Sequence, residues 1–86
     1  MAAILIAEDE VAIHELVKRN LQLVGHQCTS VFDGPAALAA IEAQPFDLII
    51  LDIMLPEMDE LEVLRRSRDG DIPTIFLTAR SGLSGR

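Results

Sequence analysis

The sequence predicts an α/β fold, a doubly wound parallel sheet with helices on its faces. Three observations carry this. Short apolar runs recur, and each stops at a polar group: residues 3–7 at Glu8 and Asp9, residues 48–51 at Asp52, and residues 72–77 at Thr78. Runs this short and this rich in Ile and Leu read as strands buried on both faces. The stretches between them carry apolar residues at helical spacing. The connections are short, and with right-handed crossovers an alternation of strand and helix winds into one parallel sheet.

Each element follows from its residues. Residues 3–7 form the first strand. Val11, Ile13, Leu16, Val17, Leu21 and Val24 then recur among charged and polar residues, which predicts an amphipathic helix closed by Gly25. On that helix His14 stands among charges and is expected in solvent. Residues 26–32 are a second strand, with Cys28 as a small core residue rather than a reactive thiol. Asp33-Gly34-Pro35 signals a helix start, a capping side chain followed by Pro in the first turn. The Ala-rich helix over 36–43 ends at Pro45. The third strand follows, and Pro56 forbids its continuation. Asp59 with Glu62 matches a capping box, and Leu61, Leu64 and Val63 are the expected buried side of the third helix. Arg65, Arg66 and Arg68 crowd its last turn, where cations suit the helix dipole and are expected in solvent. Residues 72–77 are a fourth strand.

Composition narrows the function. A chain of 86 residues is one domain. The reading divides it into a domain over 1–80 and a patternless, disordered tail over 81–86. The net charge of −7 disfavours nucleic-acid binding by this segment, since a phosphate backbone calls for a basic footprint. A single cysteine excludes an internal disulfide framework and fits the reducing cytoplasm. No stretch has the roughly 18 apolar residues of a membrane span.

In an open parallel sheet, ligands bind beyond the carboxyl ends of the strands. If strands one, three and four are neighbours, Glu8, Asp9, Asp52 and Thr78 share one sheet edge. Carboxylates gathered there repel one another unless a cation sits among them. Magnesium takes one or two carboxylates together with water and phosphate oxygens, so the constellation asks for Mg²⁺. An aspartate beside such an ion can act as nucleophile toward a phosphoryl group. The plainer reading is that Asp9 or Glu10 merely caps the first helix. Asp52 escapes it, because nothing helical starts directly after it.

The segments IAEDE, LIILDIMLPEMDELEVLRR and IPTIFLTAR resemble the receiver domain of two-component response regulators, in particular receivers followed by a winged-helix DNA-binding domain. The likeness runs over about residues 3–80. It implies a flavodoxin-like receiver fold and a signalling module rather than an enzyme. It implies Asp52 as phosphoacceptor, and Glu8, Asp9, Asp52 and the backbone carbonyl of Met54 as Mg²⁺ ligands. Thr78 becomes the switch hydroxyl, and the Ala79 amide helps to hold the phosphoryl group. The implied phosphodonor partner is a histidine kinase.

The departures are specific. The family's fifth strand, last helices and strand-five lysine have no counterpart, which reads as truncation after strand four. Lys18, in the first helix, cannot serve as that lysine. Phosphorylation is therefore expected to be impaired. An uncovered sheet face and an edge at strand four predict a homodimer or higher oligomer. Glu60 stands where the family usually has Gly, a strain of about 1 kcal/mol if that position needs positive φ. Two alternatives remain. One is a phosphorylation-independent interaction module. The other is a Mg²⁺-dependent phosphohydrolase, which wants a second acid two residues after Asp52, where Met54 stands.

Overall fold

The computed structural model describes residues 1–77, with the side chains of all of them except Glu60 and Asp69. The expectations for Thr78, Ala79 and the tail over 81–86 lie outside the described residues. The elements run β1 (Ala3–Ala7), α1 (Val11–Leu23), β2 (Gln27–Val31), α2 (Gly34–Ala43), β3 (Leu48–Asp52), α3 (Glu60–Asp69) and β4 (Thr74–Leu77).

The strands form one parallel sheet in the order β2-β1-β3-β4. In register, Ile4 pairs with Cys28 and Leu48, Ala7 with Val31 and Leu51, and Asp52 with Leu77. Thus β1 and β3 lie side by side, as the reading of the acids requires, and β4 is β3's other neighbour.

Alternation along the strands feeds two cores. One, beneath α2 and α3, gathers Leu5, Ala7, Ala37, Phe46, Ile49, Leu51, Leu55 and Val63. The other, beneath α1, has Ile4, Ile6 and Ile50 as its buried members among the described residues, with Val17, Leu21, Cys28 and Leu77 partly buried against them. Small residues let α2 lie close to the sheet; Ala37 is wholly buried.

The helix ends obey local chemistry. Asp33 accepts the Ala36 amide at 2.8 Å, and Asp59 accepts the Glu62 amide at 3.1 Å. Past α1, Gly25 takes φ 96°, and the amides of Gly25 and His26 return to Gln22 and Leu21. Among the described residues, no helix is long and apolar enough to cross a membrane.

Several faces differ from the sequence reading. In α1, Val11 and Leu16 are exposed, whereas His14 is fully buried with Val17 and Leu21 following on the same side. In α3, Leu61 is exposed, and Val63 and Ser67 form the inward side, one turn apart. Arg66 is half-buried and joins α3 to α2 through Glu42, while also pairing with Glu62 at 2.9 Å. The left-handed backbone falls not on Glu60, which begins α3, but on Glu57 (φ 55°) and Asp71 (φ 58°).

Candidate metal centre

Two strand ends build the site. At the end of β1 the chain leaves the sheet through Glu8 and Asp9 before α1 begins. The Glu8 amide donates to the Val31 carbonyl at 3.2 Å, which extends the β1–β2 pairing by one residue. The Glu8 carboxylate turns back and accepts the Glu10 amide at 2.7 Å. Glu10 takes the N-cap position of α1, yet its side chain makes no capping bond. The capping role that competed with metal binding is therefore not taken by Glu10.

At the end of β3, Asp52 is the last strand residue, buried to 2% exposure. Its Oδ1 accepts the Met54 amide at 3.0 Å, and its carbonyl accepts the Leu55 amide at 3.2 Å. Leu55 is buried and plugs the loop into the core below. The loop is tied from the other side by Gly34, whose amide donates to the Pro56 carbonyl at 2.9 Å. A Cβ at Gly34 would come within 2.4 Å of the Glu57 carbonyl oxygen, so only glycine fits this approach.

These two ends bring Glu8, Asp9 and Asp52 together. One carboxylate oxygen from each lies within 4.8 Å of the others. Glu8 and Asp52 are buried and Asp9 is half-buried. Three hard oxygen donors at this separation suit an oxygen-preferring divalent ion, and bringing three anions together in a buried place is costly without a counter-charge. Met54 is held beside Asp52 through its amide. Thr78 and Ala79 lie outside the described residues. At Cys28, burial pushes the thiol up, partly offset by Lys18 nearby, which disfavours the thiolate.

The fold agrees with what the chain is similar to. The profile of the response regulator receiver domain matches residues 4–85. The chain belongs to the response regulator receiver domain family. As a receiver domain it is a signalling module of two-component systems. It is 42% identical over 85 residues to the transcriptional regulatory protein TrcR of Mycobacterium tuberculosis, covering 96% of this chain and 33% of that protein. The receiver thus spans about a third of the length of that curated relative. Among solved structures it resembles the receiver domain of the sensor histidine kinase PA1611 of Pseudomonas aeruginosa, which has a magnesium ion coordinated in its active-site cleft. There the TM-score is 0.82 at 33% identity, over 98% of this chain and 71% of that one. It also resembles the response regulator TrrA of Thermotoga maritima in complex with Mg²⁺ and BeF, at TM-score 0.81 and 39% identity, over 98% and 78% of the two chains. TrrA has also been solved in complex with the histidine kinase ThkA, where the match is 38% identical with TM-score 0.79, over 92% and 70%.

The residue that sequence reasoning missed is His14. Its Nδ1 lies 2.8 Å from the Glu8 carbonyl oxygen, directly behind the acid cluster. The signal lies in the spacing His14, Val17, Leu21, an inward stripe that includes a polar residue.

Proposed function

We propose that this receiver domain is a Mg²⁺-dependent phosphoacceptor, with Asp52 taking a phosphoryl group from a histidine kinase. The observation that carries the reading is the convergence of Glu8, Asp9 and Asp52 within 4.8 Å. Glu8, Asp9, Asp52 and the Met54 carbonyl would hold the ion, and Thr78 and Ala79 would meet the phosphoryl oxygens. Mg²⁺, when bound, supplies the positive charge that offsets the acids and the phosphoryl oxygens. An Asp52 oxygen attacks phosphorus; the new O–P bond forms as the N–P bond of the phosphoimidazole breaks, and the imidazole leaves. The Met54 amide on Oδ1 fixes the orientation of the attacking carboxylate. By similarity to TrrA, which has been solved in complex with the histidine kinase ThkA, the donor is a histidine kinase. The domain works in the cytoplasm, where its single cysteine stays reduced. DNA contact falls to some other segment, because this one carries a net charge of −7.

The chain's one lysine, Lys18, lies near Cys28, which pairs with Ile4 toward the opposite end of the strands. It therefore gives no cationic clamp at Asp52, and labelling of these 86 residues should be slow. The test is incubation with a small acyl phosphate, with and without Mg²⁺, followed by intact mass. Expected is slow, Mg²⁺-dependent addition of one phosphoryl group, abolished in Asp52→Asn. Labelling that survives in Asp52→Asn, or that proceeds equally in EDTA, would refute the assignment.

A second reading, an interaction module that self-associates, is favoured by one feature. Ile75 on β4 is 52% exposed, on the sheet face that, among the described residues, carries α1 alone. Among the described residues β4 is also an edge strand. A homodimer or higher oligomer that covers this face should dissociate in Ile75→Lys. Light scattering that finds a monomer at tens of micromolar for the unaltered chain would end this reading.

A further inference from the structure

We propose that His14 is a positioning residue of the acid cluster. By donating from Nδ1 to the Glu8 carbonyl it fixes the peptide on which the metal-binding carboxylates hang. The inference rests on the Mg²⁺ reading above and adds a residue from outside the acids to it.

The geometry is specific. A carbonyl oxygen only accepts, so the 2.8 Å contact requires the proton on Nδ1. The Glu8 carbonyl belongs to the peptide that joins Glu8 to Asp9. Peptides are planar, so holding that oxygen also fixes the direction in which Asp9 leaves β1. One hydrogen bond thus orients two of the three acids. The Glu8 amide on Val31 and the Glu8 carboxylate on the Glu10 amide complete the hold on the same residue.

The ring itself cannot swing away. It is wholly buried and stacks on Phe32, with ring centroids 4.5 Å apart and planes 17° from parallel. Its other nitrogen, Nε2, is buried with no hydrogen-bond partner among the described residues. A buried polar atom without a partner costs stability, so for packing alone Phe or Leu would serve better here. What histidine adds is the donor aimed at Glu8. Metal sites commonly depend on such outer partners, whose loss lowers affinity about 10- to 100-fold.

Two substitutions separate positioning from packing. His14→Phe keeps a ring over Phe32 and removes the donor. His14→Asn places an amide nitrogen at the same bond distance from the backbone as Nδ1 and removes the ring. Mg²⁺ affinity is measured by calorimetry on the whole chain, beside thermal stability. Imidazole ¹⁵N shifts in the unaltered chain report the tautomer without any metal. Expected are an Nδ1–H tautomer, Mg²⁺ binding about tenfold weaker in His14→Phe despite undiminished stability, and near-normal binding in His14→Asn despite a lower melting temperature. A purely structural histidine would move affinity and stability together. His14→Phe binding Mg²⁺ as the unaltered chain does, or an Nε2–H tautomer, would overturn the proposal even if His14→Asn fails to fold. An unaltered chain with the Nδ1–H tautomer that ignores millimolar Mg²⁺ would instead sink the metal reading, and the positioning role with it.

Discussion

The two acid-bearing strand ends are held by different means. The β1 end has a side-chain anchor from another element beside its backbone bonds: His14 reaches from α1 to the Glu8 carbonyl. The β3 end is fixed by backbone: Met54 and Leu55 fold back on Asp52, and Gly34 holds the Pro56 carbonyl from the start of α2. A side-chain anchor can be removed without forcing new atoms against the backbone. A backbone anchor cannot, because its geometry is set by close approach, 2.4 Å from a Gly34 Cβ position to the Glu57 oxygen. The β3 end also carries strain, for Glu57 sits at φ 55°, a backbone state that costs about 1 kcal/mol or more without glycine. Strained backbone beside the proposed nucleophile is the form of storage expected at a functional loop.

Substitutions can break or sharpen this contrast. The largest effect should come from Gly34→Ala. The added methyl meets backbone, so the loop after Asp52 has to shift; overpacking of this kind costs about 1–3 kcal/mol. Chemical denaturation should register that loss, and Mg²⁺ affinity should fall with it, in contrast to His14→Phe, where the two separate. An unchanged denaturation midpoint in Gly34→Ala would mean that the loop is free to move, and the contrast would be void.

Smaller effects should come from the caps. Asp33→Ala removes the acceptor of the Ala36 amide next to that same glycine, and should cost about 1 kcal/mol. Asp59→Ala removes a longer and more exposed bond at the start of α3, and should cost less, about 0.5 kcal/mol. The order is the informative part. If Asp59→Ala proves the more damaging, the α3 start rather than the α2 start supports the β3 end.

Much of this was legible in the residues. The apolar runs over 3–7 and 48–51 are strands because nothing polar interrupts them, and the acids that end them must sit at the sheet edge. Asp33 and Asp59 announced their helices through capping chemistry that needs no tertiary context. What failed was whatever depends on tertiary packing. Leu61 and Leu16 look like core residues and are exposed, because α3 and α1 are rotated so that Val63 and His14 face inward. A histidine is inward only if something accepts its proton, and that acceptor, a backbone carbonyl, carries no signature in the sequence. Likewise the left-handed residue of the β3–α3 loop is Glu57 and not Glu60, since loop geometry is decided by the Gly34 contact across the fold.

The central claim is that Glu8, Asp9 and Asp52 form one divalent-cation site. Substoichiometric Mn²⁺, a paramagnetic stand-in for Mg²⁺, added to the ¹⁵N-labelled chain tests it most directly. The account predicts that amide signals of residues 8–10 and 52–54 broaden first, that excess Mg²⁺ restores them, and that Asp9→Asn abolishes the effect. Broadening spread over the acids of the helices, or centred away from the ends of β1 and β3, would contradict it.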